Sequence, residues 1–118
     1  MVRPLPRLRY RKDFQRLRRR GRSGVAPGLV LQSAPNGLGS VVRVGFTASR
    51  KVGNAVKRNR ARRRLVALAD LMLPQLAVPG RDYVLIARRE TGDRPWAELR
   101  EDLIHVLERV HARGRNRS

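Results

Sequence analysis

The positive charge of this chain is concentrated in one half, and that limits what it can fold into alone. Residues 1–64 hold nineteen basic residues and a single acid, Asp13, for a net charge of +18. Residues 65–118 hold nine basic and eight acidic residues and are nearly neutral at +1. A surface built for solubility interleaves both signs. A half-chain of one sign repels itself, at a cost in stability, unless a polyanion neutralises it. Nucleic acid and anionic membrane are the candidate polyanions. The membrane fits poorly, because Phe14 and Leu17 are too small an apolar face for an amphipathic anchor. The longest unbroken apolar runs, Leu65–Ala69 and Tyr83–Ala87, also fall far short of the roughly 20 residues that span a bilayer. Of the 28 basic residues, only Lys12, Lys51 and Lys57 are lysines. Arginine forks suit phosphate oxygens and stack on bases.

The charge does not prevent a core. Leu, Ile, Val and Phe make up about 27% of the chain, above the roughly 20% below which highly charged chains stay disordered. The length suits one domain, residues 1–118. The start has no apolar stretch for a secretory signal. No cysteine is present, so there is no disulfide framework or thiolate metal site. A cytoplasmic protein is the simplest expectation.

Residues 1–8 are expected as a flexible basic arm, and Arg11–Arg20 as a short helix with Asp13 in its first turn and Gly21 as its stop. Leu29–Gln32 reads as a strand, with a short one before it near Arg22–Val25. Ala34–Gly39 is a loop signal. Val41–Ala48 alternates, with Val42, Val44, Phe46 and Ala48 on one face. Ala55 to Leu76 reads as a long helix closed by Pro79-Gly80. Asp82–Ala87 reads as a central strand covered on both faces. Asp93 is expected to cap the last helix, with Pro95 in its first turn. Trp96, Leu99, Leu103, Val106, Leu107 and Val110 give that helix one core-facing stripe. Gly114 should end it, leaving 113–118 as a flexible tail. The order αβββαβα predicts a sheet layered with helices.

Catalytic residues are hard to find. His105 and His111 are six apart, which is not a same-face pair, and read as a polar flank of the last helix. Glu98, Glu101, Asp102 and Glu108 read as a solvated, salt-bridged face. No phosphate-binding glycine loop is present. No catalytic residue and no metal ligand is expected from this chain.

The run Lys57–Arg64 is different: six of its eight residues are positive, and no acid lies between residues 14 and 69. Arg58/Arg62 and Arg60/Arg64 are like-charge i,i+4 pairs, each destabilising by roughly 0.2–0.5 kcal/mol. They lie in the N-terminal half of a helix, where the dipole disfavours cations. A helix carrying both costs points to an anionic partner. Asn59 adds an amide able to read a base edge or a 2′-hydroxyl. From Leu65 onward the helix turns apolar and anchors in the core.

This segment resembles the signature of the bacterial ribonuclease P protein component: Ser49-Arg50-Lys51, then Val52-Gly53-Asn54-Ala55-Val56, then Arg58-Asn59-Arg60 and further arginines. Asp13-Phe14-Gln15, Arg43-Val44-Gly45-Phe46 and the Asp82–Arg88 strand match as well, in the same order, over roughly residues 7–112. The resemblance implies an α+β fold, a two-layer α/β sandwich of the ribosomal protein S5 domain 2-like type with a left-handed βαβ crossover. It implies a subunit that binds a large catalytic RNA and the 5′ leader of precursor tRNA, supporting removal of that leader by endonucleolytic cleavage. The chemistry would be the RNA's, with Mg²⁺ bound mainly by RNA, and the free protein would be a monomer joining the RNA 1:1. The catalytic RNA would meet Arg50, Lys51, Asn54, Lys57, Arg58, Asn59, Arg60, Arg62 and Arg63. The leader would meet Arg9, Arg11, Lys12, Phe14, Arg18 and Gln32. Arg18 and Gln32 stand where this family often has aromatics, so stacking in the cleft should be weakened. The alternative is a ribosomal or other non-catalytic protein that binds structured RNA.

Overall fold

A computed structural model describes the backbone of residues 4–115 and the side chains of residues 4–111. Three helices and four strands follow the expected order: α1 (Arg11–Arg20), β1 (Arg22–Val25), β2 (Leu29–Pro35), β3 (Arg43–Thr47), α2 (Ala55–Leu76), β4 (Arg81–Ala87) and α3 (Trp96–Arg115). A single 3₁₀ turn, Arg50–Val52, precedes α2. The strands form one sheet in the order β1-β2-β4-β3. β2 is antiparallel to β1 and β4, whereas β3 runs parallel to β4 and is joined to it through α2.

Strand alternation sends the two faces of the sheet to different helices. Leu29, Leu31, Val44, Tyr83, Leu85 and Ala87 join the main core with Leu65, Leu68, Leu73 of α2 and Leu99, Leu103, Val106 of α3. Val42, Phe46 and Ala48 pack against the same core, so the predicted face of β3 is the buried one. Sheet, α2 and α3 make the expected two layers. On the other face Ala34 and Val84 pack with Leu17 of α1 and Leu8, with Phe14 and Ile86 at the margin. This double burial is why Tyr83–Ala87 reads as unbroken apolar sequence.

Several expectations need correction. The strands run over Leu29–Pro35 and Arg43–Thr47 rather than 29–32 and 41–48. The stretch expected as an arm, residues 1–8, pairs over its second half with the free edge of β3. Leu8 N–H donates to Val44 O, Val44 N–H donates to Pro6 O, both at 2.9 Å, and Leu8 is buried. Arg7 also reaches Asp70 of α2 at 3.2 Å and lies over the Phe46 ring. Residues 1–3 lie outside the described part. Asp93 is not a helix cap: it lies in the turn before Pro95, with its side chain 90% exposed. Gly114 does not end α3, which continues to Arg115 and so includes the first residues of the expected tail. Residues 116–118 are outside the described part. Asp102 is not solvated. It is buried, accepts the Gly28 N–H at 2.9 Å and pairs with Arg94 at 2.7 Å. His111 is not on a polar flank: its Nε2 lies 2.7 Å from the Tyr83 hydroxyl, which accepts the Val78 N–H.

Candidate nucleic-acid interface

The leader-binding candidates lie on α1 and the sheet face beneath it. Arg11, Phe14, Gln15 and Arg18 follow each other at i, i+3, i+4 and i+7, so they share one side of the helix. Gln32, Val84 and Gly45 form one row across β2, β4 and β3, and Ile86 pairs with Thr47 in the next. Together the α1 side and these strands line an open cleft of about 230 Å³. Arg11, Phe14, Arg18 and Gln32 are thus brought together. Arg9 and Lys12 are not: both are exposed, neither lines the cleft, and Lys12 Nζ lies 5.8 Å from the Tyr10 ring centroid.

The absence of a side chain at Gly45 lets the Phe14 ring of the cleft wall lie close against β3. A Cβ there would stand 2.6 Å from the Phe14 ring and 3.2 Å from Leu8. Phe14 therefore packs edge-on over a glycine while also lining the cleft, so the packing and binding readings of that residue are compatible.

One end of α1 is fastened by an ion cluster that pattern reading missed. Asp82, at the start of the apolar β4 run, has a fully buried side chain. It accepts from Arg43 Nε at 2.9 Å and Nη2 at 2.7 Å, from Asn36 at 3.0 Å, and from Arg16 of α1. Asp13 lies 3.6 Å from Arg43 and 3.8 Å from Arg16. Burial alone would raise the Asp82 pKa. The hydrogen bonds from Arg43 and Asn36, with the charge of Arg43 and the bond from Arg16, outweigh burial and hold it below the ordinary carboxylate value. Arg43 is raised in turn, chiefly by its hydrogen bond to Asp82.

The catalytic-RNA candidates gather where β3 gives way to α2. Gly53, at φ 145°, makes the turn between the 3₁₀ turn and α2 in a conformation few side chains tolerate. Asn54 caps α2, its side chain accepting the Lys57 N–H at 3.0 Å. Arg50, Lys51, Lys57 and Arg60 line one open groove of about 530 Å³ together with Arg89 and the Gly92-Asp93 turn. Arg58 is half-buried and donates to Gly53 O at 3.2 Å. Asn59, Arg62 and Arg63 are exposed but do not line the groove. Arg58 and Arg60 both have partners within the chain. Arg60 donates to Gly92 O at 2.9 Å and lies 3.7 Å from Asp93, although both side chains are largely exposed. Arg64 ends the run differently, with both η nitrogens on the Thr91 and Arg94 carbonyls at 2.5 and 2.6 Å and its guanidinium 5.7 Å from the Trp96 ring centroid. In the Arg60/Arg64 pair both guanidiniums thus turn onto backbone oxygens, and in the Arg58/Arg62 pair Arg58 does.

Sequence reading missed Arg89 and Gln15. Arg89 is the second residue after the apolar run of β4, and its Nε donates to Lys51 O at 3.2 Å. Gln15 could have been found from its helical spacing to Arg11 and Arg18. Among the described residues, no three His, Cys, Asp or Glu side chains are grouped to hold a metal ion. Among them, too, no helix is long and apolar enough to cross a membrane.

Comparison with known proteins identifies the family. The family model described as Ribonuclease P matches residues 3–111. The ribonuclease P protein component of Paramagnetospirillum magneticum is 47% identical over 116 residues, covering 95% of this chain and 87% of that protein. That of Ruegeria pomeroyi is 47% identical over 108 residues, covering 89% and 86%. Among solved structures, the RNase P protein from Thermotoga maritima superposes with a TM-score of 0.74 at 29% identity, covering 88% of this chain and 96% of that one. The Staphylococcus aureus RNase P protein superposes with a TM-score of 0.73 at 28% identity, covering 86% and 92%. With the Arg58-Asn59-Arg60 helix, the cleft under α1 and a match over nearly its full length, this chain belongs to the bacterial ribonuclease P protein family.

Proposed function

We propose that this chain acts as the protein subunit of a ribonuclease P holoenzyme. It docks on the catalytic RNA through the α2 groove and receives the single-stranded 5′ leader of precursor tRNA in the α1 cleft. The observation that carries this reading is the make-up of the cleft: one aromatic, Phe14, beside the guanidiniums of Arg11 and Arg18 and the amide of Gln32. A single strand needs both, a surface to stack a base and cations along its phosphates.

The bond-breaking step belongs to the RNA in this reading. Mg²⁺ held mainly by that RNA supplies the activated water for phosphodiester hydrolysis. The buried carboxylates Asp13, Asp82 and Asp102 do not suit that ion, since each faces an arginine within 4 Å. The chain contributes charge neutralisation, leader affinity and support for the RNA fold, as one protein per RNA, in the cytoplasm. Reconstitution with the catalytic RNA at low Mg²⁺ tests it. The complex should cut precursor tRNA at the mature 5′ end much faster than the RNA alone, and RNA-free protein should not cut. No gain on adding protein would refute the reading.

A further inference from the structure

The sheet face that packs on α3 carries a polar row at one end. Arg22 of β1 pairs in register with Ser33 of β2, which pairs with Tyr83 of β4. Arg81, two residues before Tyr83 and so on the same face, donates from Nε to the Ser33 hydroxyl at 3.0 Å. Arg20, the last residue of α1, borders the same open pocket of about 500 Å³, whose walls include Val78, Val110 and His111. Three arginines line it, and no carboxylate is among the lining residues.

Arg22 adds a second, independent observation. Its Nη1 is buried with no hydrogen-bond partner, the sole such side-chain atom among the described residues. Other inward-turned arginines have acceptors: Arg16 and Arg43 on Asp82, Arg64 and Arg88 on backbone carbonyls, Arg94 on Asp102. An orphaned buried donor calls for an acceptor, and a bound anion can supply one. A phosphate supplies charge-assisted acceptors to several guanidiniums at once.

The geometry points to a third RNA contact: the Arg20, Arg22 and Arg81 pocket binds one backbone phosphate of an RNA strand. This rests on the reading that the chain works on RNA. The pocket is remote from both surfaces described above. It lies at the start of β4, whereas the α2 groove lies beyond the end of that strand, and seven residues span about 23 Å. It is also on the sheet face opposite the leader cleft. The opening to solvent admits a continuing strand, and Val78, Val110 and Pro35 offer an apolar wall for ribose.

Two variants, Arg22→Gln with Arg81→Gln, and Arg20→Gln alone, test the inference in the reconstituted complex. Arg20 is exposed, so its replacement leaves the core untouched. Affinity for the catalytic RNA is measured from 50 to 200 mM salt. Losing one phosphate contact flattens the log–log slope by about 0.9, so affinity falls about 3.5-fold less across that range. Arg81→Lys should keep most of the slope, and the preference for precursor over mature tRNA should stay unchanged. Wild-type slopes in both Gln variants would overturn the inference. So would binding of inorganic phosphate to the free protein, seen by NMR at His111, if the RNA slope stayed unchanged: the site would then take a free anion. If the wild-type protein itself fails to bind the catalytic RNA, the functional reading fails instead.

Discussion

Asp82 sits in a stretch that reads as pure core, yet it is the most heavily bonded carboxylate described in this protein. Its partners Arg43, Asn36 and Arg16 lie 39, 46 and 66 residues away in sequence, which is why no local pattern announces them. Breaking a buried pair leaves uncompensated charge, so Asp82→Asn should cost about 3 kcal/mol. That is the low end for such pairs, because the arginines keep some access to water. The pH dependence follows from its lowered pKa. The ion pairs contribute fully above the unfolded-state value of about 3.9 and are lost as pH falls through the lower folded value. Denaturant unfolding should therefore show an acid-side loss of stability in the wild type that Asp82→Asn largely lacks. Equal acid slopes would mean the cluster does not stabilise the fold. Arg18 can be tested just as directly. Arg18→Ala should weaken precursor tRNA but not mature tRNA, and the loss should shrink at high salt. Phe14→Leu keeps the packing over Gly45 and removes the stacking, worth about 1–3 kcal/mol per base. Equal effects of Arg18→Ala on both tRNAs would move the leader elsewhere.

The helices differ in how much of their role local sequence revealed. The bounds of α2, Ala55 to Leu76, match the predicted ones, because Asn54 caps it and Leu65 onward supplies a continuous buried stripe. The division of labour within its basic run was not legible, because it depends on the Arg88–Asp93 turn packed alongside. Arg64 is structural, with two carbonyls and Trp96 as partners, so Arg64→Ala should lower stability by about 1.5–3 kcal/mol. Arg58→Ala with Arg60→Ala should weaken assembly with the catalytic RNA at nearly unchanged stability. Relief of like-charge repulsion is offset there by loss of the Gly53 and Gly92 contacts. If the double variant unfolds, or Arg64→Ala mainly weakens assembly, the roles are reversed. For α1, the docking of Phe14 over Gly45 has a matching test. Gly45→Ala must displace the ring, so it should erode the preference for precursor over mature tRNA while affinity for the catalytic RNA holds.

At the scale of the molecule, the charge asymmetry seen in the sequence is the property the fold preserves least altered. Folding pairs only a few of the nineteen basic residues in 1–64 with a carboxylate: among the described residues, Arg7, Arg16, Arg43 and Arg60 lie within 4 Å of one. Arg58 and Arg64 take backbone carbonyls, which leave the net charge untouched. Much of the rest, including Lys51, Lys57, Arg62 and Arg63 near α2 and Arg11 and Arg18 at the cleft, is exposed without a carboxylate partner. Neutralising about 6–10 phosphates is within reach of that set. Binding to the catalytic RNA should then fall roughly 10³–10⁵-fold between 50 and 200 mM salt. The dependence should be a sum of separable parts: removing Arg58 and Arg60 should flatten the log–log slope by about two contacts, and removing Arg18 should leave it unchanged in the absence of tRNA. A slope near zero in the wild type would mean that shape or base contacts, not this charge, hold the RNA.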